Sequence, residues 1–205
     1  ADIIDNAIRK NLKKYTGGLT EADLEKVSSL NLRPRKEMEV KEPYDFYYTY
    51  SELKKTRPVR WGRAGLREVA KLQQLEELYL IGCDKITDDG TRELAKMQQL
   101  TALNLMGTAV TITGLKQISK LKNLSSLSLW GSEITDEGLK EVAKLTQLKS
   151  LNLNNNDDIS DVGLKEIAKL TQLISLSTSL DNTGSGITES GLDELQKVLP
   201  NCKMW

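Results

Sequence analysis

Apolar and polar positions follow two different periods along this chain, and the two periods alternate. From Leu75 the chain reads LEELYLIGCDKITDDGTRELAK, and the same cadence returns from Leu100, Leu124, Leu148 and Leu173, with starts 25, 24, 24 and 25 residues apart. The opening half of each unit carries apolar residues in the pattern of Leu124, Leu127 and Leu129; the last two are two apart, which is strand spacing. The closing half places Leu139, Val142 and Ala143 at i, i+3 and i+4, which is the spacing of one helix face. One strand and one helix cannot bury their apolar faces alone, but stacked units share a continuous core. The pattern predicts an α/β solenoid, a right-handed horseshoe with a parallel sheet on its concave face and helices on its convex face.

The junction between the halves has its own signal. In Ile134-Thr135-Asp136-Glu137-Gly138-Leu139, Thr135 is placed to N-cap the helix, and Asp136 falls in the first turn, where the helix dipole favours an anion. Ile134 and Leu139 form a hydrophobic staple, echoed by Ile159 with Leu164, Ile187 with Leu192 and Val110 with Leu115, and broken at Thr91. The recurring Asp88, Asp136 and Asp161 read as capping residues rather than a metal site. Just past the strands runs a small polar column, Cys83, Thr108, Ser132 and Asn156, suited to satisfying backbone groups in a turn.

These residues resemble the leucine-rich repeat, in particular the planctomycete-type bacterial repeat proteins and the cysteine-containing repeats of F-box-type ubiquitin-ligase receptors. The likeness covers Leu66 to Trp205 closely; it implies a fold, and it implies interaction rather than any one activity. Residues 1–32, with the helical stripe Ile4, Ala7, Ile8 and Leu12 and a first strand unit from Leu24, Val27, Leu30 and Leu32, resemble an internalin-like N-terminal cap. The regular repeats are expected over 61–198, with Trp61 at a staple position, and a C-terminal cap over 199–205, with Cys202 where a repeat-opening leucine belongs. All of these form one domain, 1–205. Residues 33–60 depart from the pattern. Val27 to Leu75 spans 48 residues, two repeats of 24, so a divergent repeat or a Tyr-rich insertion is expected there, and the alternation of Tyr44, Phe46, Tyr48 and Tyr50 suggests a strand.

Composition narrows the function. Lys plus Arg and Asp plus Glu both total 29, so no basic surplus points to nucleic acid. The sequence contains no histidine, which removes Ser-His-Asp and Cys-His catalysis and imidazole zinc sites. No cofactor, structural metal or membrane span is expected, and a monomer is favoured. Cys83 and Cys202 lie repeats apart and should not bridge.

Residues between the strand leucines should face the concave side. There the pattern brings Tyr79, Ile81, Met106 and Trp130 together as an exposed apolar patch beside Asn104, Ser128, Asn152 and Asn154. Such a surface suits an unidentified protein or peptide partner. A carbohydrate or cell-surface ligand is the alternative, because serine and asparagine beside Trp130 also suit sugar hydroxyls. Tyr44, Phe46, Tyr47, Tyr48 and Tyr50 form a second candidate surface, as core, lid or binding site. The sequence leaves the compartment open, with a lean to an exported bacterial protein.

Overall fold

The computed structural model describes residues 7–8, 10–13, 20–31, 63–179 and 186–205. Among them, seven parallel strands stand in chain order in one open sheet. They are β1 (Ser29–Asn31), β2 (Glu77–Tyr79), β3 (Ala102–Asn104), β4 (Ser126–Ser128), β5 (Ser150–Asn152), β6 (Ser175–Ser177) and β7 (Lys203–Met204). The helices are α1 (Glu21–Leu24), α2 (Arg63–Val69), α3 (Asp88–Leu94), α4 (Ile112–Ile118), α5 (Asp136–Val142), α6 (Asp161–Ile167) and α7 (Glu189–Val198). Strands pair leucine to leucine, Leu78 with Leu103, Leu103 with Leu127 and Leu127 with Leu151, so the sheet register repeats the sequence period. The leucines, with the staple residues Ile86, Val110, Ile134, Ile159 and Ile187, form one continuous buried core between sheet and helices. The architecture is the leucine-rich-repeat solenoid that the pattern predicts.

Two expectations are corrected. First, β1 pairs directly with β2, Ser29 opposite Glu77 and Leu30 opposite Leu78. The strand of a divergent repeat therefore does not stand between them, although the spacing of 48 residues allowed it; residues 33–60 themselves lie outside the described residues. Second, the last unit is not of full length: Lys203, the partner of Ser175, follows Cys202 directly where Ser175 stands two residues after Leu173, while Cys202 keeps the repeat-opening place, its N–H bonding the Leu199 carbonyl at 3.0 Å as that of Leu173 bonds Leu170 at 2.9 Å. The chain crosses from the end of α7 at Val198 to β7 at Lys203 in fewer residues than from Ile167 to Ser175, and Cys202 still turns into the core.

The N-terminal residues close the first edge. Ile8 is buried in the core with Ala7 and Leu12 packed beside it. Asn11 donates from Nδ2 to the carbonyl of Ser29 at 2.7 Å.

Thr111, Thr135, Ser160 and Thr188 cap their helices, each hydroxyl accepting a backbone N–H of the first turn. The aspartates do more than face their own helix dipoles. Asp88 accepts from the N–H and hydroxyl of Thr111, the cap of the next helix, at 2.8 and 2.6 Å. Asp136 holds Ser160 in the same two-point grip at 2.8 and 2.6 Å, and Asp161 holds Thr188 at 2.9 and 2.8 Å. Each carboxylate thus orients the capping hydroxyl of the following repeat. The grip is missing at two of the described junctions: Ile112 takes the place of the aspartate before Thr135, which caps unaided, and Arg63 takes it before Thr87, whose hydroxyl makes no capping bond.

The convex face carries a ladder of Glu–Lys pairs three residues apart, Lys71 with Glu68, Lys96 with Glu93 and Lys144 with Glu141, each at 2.6 Å. Such pairs on open helix faces contribute only a few tenths of a kcal/mol, about 0.3–0.5 each. Glu93 differs because its side chain is only 2% exposed and also receives Arg63 Nε at 3.2 Å. The Lys96 hydrogen bond, assisted by Arg63 and opposed by burial, holds its carboxyl below the ordinary glutamate range. A depressed carboxyl stabilises the fold above its unfolded value near 4.5 and loses that contribution as pH falls through its folded value. Glu93→Gln, which keeps the shape, is therefore expected to lower stability by about 1–2 kcal/mol at pH 7. In urea unfolding the gap to wild type should close as pH drops below about 4.5; a gap independent of pH would contradict the assignment.

Candidate functional site

The pleat sends three columns of side chains to the concave face. The register aligns Glu77, Ala102, Ser126, Ser150, Ser175 and Lys203 in one, and Tyr79, Asn104, Ser128, Asn152 and Ser177 in the next. The third column follows one step past the strands, at Ile81, Met106, Trp130, Asn154 and Ser179. There the ladder is continued by Gly82 N–H to the Met106 carbonyl at 2.7 Å, Gly107 to Trp130 at 3.0 Å and Gly131 to Asn154 at 3.0 Å. Those three glycines have φ of 67°, 63° and 58°, and Asn155 takes their place at 60°. The sharp left-handed step turns the chain off the sheet.

This geometry brings the predicted residues together but corrects their exposure. Ile81, Met106 and Asn104 are buried, at 3%, 2% and 3% exposed. Tyr79, Ser128, Trp130, Asn152 and Asn154 are half-buried. The alternation of a strand fixes which way a side chain leaves the backbone, not how much water reaches it. Large side chains abreast at the strand spacing of about 4.8 Å exclude water from the middle of their own row. Tyr44, Phe46, Tyr47, Tyr48 and Tyr50 lie outside the described residues.

The polar members are organised by backbone. Asn104 Oδ1 accepts the N–H of Met106 at 2.9 Å, and Asn152 Oδ1 accepts that of Asn154 at 3.0 Å. Each asparagine thereby closes a short loop onto its own strand exit, which sets the direction of its amide. Tyr79 donates its hydroxyl to Glu77 at 3.2 Å. Sequence reasoning missed Trp205. It follows Met204, which pairs with Leu176, so it continues the Tyr79 column opposite Ser177, 71% exposed. The alternation of Cys202 and Met204 against Lys203 and Trp205 was the available signal.

Beneath this face the small polar column does the structural work expected of it. Thr108 donates to the Leu105 carbonyl at 2.7 Å, and Ser132 donates to the same carbonyl at 3.0 Å. Asn156 donates from Nδ2 to Leu129 and Leu153 at 2.9 and 2.8 Å, and accepts from Ile134 and Ser132 at 2.8 and 3.2 Å. Cys83 sits in the same column, fully buried, its thiol pushed up to about 12 by burial and then by Asp84. Burial also raises the Cys202 thiol. Thiolate is the reactive form, so native protein treated with iodoacetamide at pH 8 should gain almost no mass, and both thiols should label only in denaturant. Rapid native labelling of Cys83 would contradict its place in the turn.

Among the described residues no group of three or more Cys, Asp or Glu could hold a metal ion. A crevice of about 100 Å³ between α6 and α7, lined by Leu164, Ala168, Leu195 and Val198, lies among helix residues, not the concave columns. It is smaller than the clefts of roughly 300–1,000 Å³ that enclose small molecules. No described helix is long and apolar enough to cross a membrane.

The leucine-rich-repeat family model matches residues 120–143 and 144–168. No curated protein matches the chain in sequence. Among solved structures, internalin C2 of Listeria monocytogenes is similar at 20% identity and a TM-score of 0.63, over 98% of this chain and 81% of that one. A second Listeria monocytogenes internalin is 22% identical with a TM-score of 0.54, over 97% of this chain and 53% of its own. A chain of the Rad7 and Elc1 complex in yeast is 19% identical with a TM-score of 0.54, over 70% of this chain and 39% of its own. Likeness at these identities is likeness of fold.

Proposed function

We propose that this leucine-rich-repeat solenoid is a non-catalytic interaction module whose concave face binds a protein or peptide. The observation that carries the reading is the make-up of that face. From β3 to β6 its columns are uncharged, with apolar bulk at Met106 and Trp130 flanked by Asn104, Ser128, Asn152 and Asn154. Apolar residues ringed by small polar ones, with Trp and Tyr among them, are the composition of interface centres. The yeast neighbour, described as a complex, is in keeping with a fold used for assembly. An extracytoplasmic setting goes with the same reading, supported by the likeness to the internalins alone.

The test is Trp130→Ala. Neighbouring repeats carry Asn154 or Ser179 at this position, so the fold does not require an aromatic there. The variant should keep a cooperative melt and lose about 2 kcal/mol or more of affinity for a partner captured by the wild type. Unchanged affinity would move the site away from the concave face.

A further inference from the structure

Two polar atoms on the concave face are buried without a hydrogen-bond partner: Asn104 Nδ2 and Ser128 Oγ. They are register neighbours, since Asn104 pairs with Ser128, and Ser128 pairs in turn with Asn152. An orphaned buried donor has lost its water without compensation and is rare without a reason. The direction of the Asn104 amide is determined, because the Met106 N–H requires Oδ1 as its acceptor and leaves Nδ2 as the buried group without a partner. Asn152 makes the same bond to Asn154, which turns its amide the same way round, on a side chain that is half-buried rather than buried. The row Asn104, Ser128, Asn152 therefore offers a donor, a hydroxyl and a donor across three strands.

Every ligand atom that satisfies these amides must be an acceptor. The columns from β3 to β6 contain no Lys or Arg, so nothing there compensates a carboxylate or phosphate. Sugar hydroxyls need acceptors as well as donors, and each asparagine carbonyl already accepts one backbone N–H, whereas both amide donors seek acceptors. Neutral carbonyl oxygens remain. The two amides stand two strands apart, about 9.6 Å. In a polyproline II helix, carbonyls three residues apart point the same way at about 9.3 Å, and none is used within the peptide. Carbonyls facing one way in an extended strand recur at about 6.6 Å and miss this interval.

We propose that the concave face binds a proline-rich peptide in the polyproline II conformation, lying across the strands, with carbonyls i and i+3 on Asn104 and Asn152 and its rings against Trp130. Aromatic-lined grooves suit such peptides, whose preformed shape lowers the ordering cost. The thioether of Met106, next outward on the same strand as Asn104, is flexible enough to yield as the peptide seats. This inference rests on the concave face being the partner site and names the partner's chemistry.

The experiment is fluorescence anisotropy with a labelled proline decapeptide, beside a glycine-serine decapeptide and a cello-oligosaccharide, on the full chain. Asn152→Asp is the diagnostic variant, because it keeps an acceptor for Asn154 N–H and replaces the amide donor by a charged acceptor that repels a peptide carbonyl. Saturable binding of the proline peptide, weakened about tenfold in Asn152→Asp with an unchanged melt, is the expected result. Ser128→Ala should fold at least as well as wild type and also bind more weakly. No saturable binding up to millimolar peptide, equal binding by Asn152→Asp, or preference for the glycine-serine peptide or the sugar overturns the proposal. If partner capture still depends on Trp130 while the proline peptide fails, the concave reading stands and only the peptide's conformation is wrong.

Discussion

Gly191→Ala is expected to cost about 3 kcal/mol, while Gly138→Ala, at the equivalent place in an earlier repeat, stays within about 1 kcal/mol of wild type. Both glycines are the third residue of their helix. A methyl at Gly191 would lie 2.0 Å from Asp161 Oδ1 and 2.4 Å from its Cγ. Asp161 must then retreat and release the N–H and hydroxyl of Thr188, two solvent-exposed bonds worth about 0.5–1.5 kcal/mol each. Residual crowding adds about 1–3 kcal/mol, and the helix preference of alanine returns about 1. At Gly138, in the unit after Ile112, no carboxylate is near, and the closest atoms are methyls of Ile134 and Leu115 at 3.1 Å. Urea unfolding of both variants decides the point. Gly191→Ala in an Asp161→Ala background should lose most of its cost, because contacting sites are not additive. Equal penalties at 138 and 191 would sink the account.

Asn156→Ala is expected to be the more damaging change, by about 4 kcal/mol. Its amide serves the N–H groups of Ile134 and Ser132 and the carbonyls of Leu129 and Leu153 together, all in the buried turns of two adjacent repeats. Each buried backbone group left unpaired costs about 1–3 kcal/mol, reduced where a water enters the space. Asn156→Thr, which installs the residue found at 108, should recover part of the loss, because a threonine there can return one bond to a carbonyl as Thr108 does for Leu105. Chemical denaturation again measures it. A loss under 1 kcal/mol for Asn156→Ala would mean that the column is filler and not a bonded part of the turn.

The repeat, its strands, its helices and its caps were legible because each is encoded within a few residues. Leu127 and Leu129 announce a strand, Leu139 and Val142 a helix, and Thr135 a cap. What lay hidden depends on residues a full repeat away. Asp136 next to Thr135 reads as a first-turn anion of its own helix; that it also grips Ser160, 24 residues on, follows only once the stack is in register. Glu93 looks like any solvent-facing glutamate, and its burial comes from its place between repeats and from Arg63, 30 residues away. The concave candidates were legible in direction but not in exposure, since Ile81 and Met106 lose their water to neighbours on other strands. The orphaned amide of Asn104 had no local signal at all.

The aspartate grip also sets a rule of succession among the repeats. A unit with Asp at the first helical position must be followed by one with Thr or Ser at the cap and Gly at the third helical position, as Asp136 is by Ser160 and Gly163. A unit with Ile112 places no such demand on its successor. By this rule, duplication or exchange of whole units by recombination is unrestricted after the units with Arg63 and Ile112 and restricted after those with Asp88, Asp136 and Asp161. The stack is a sequence of modules in which each module vets the one that comes next.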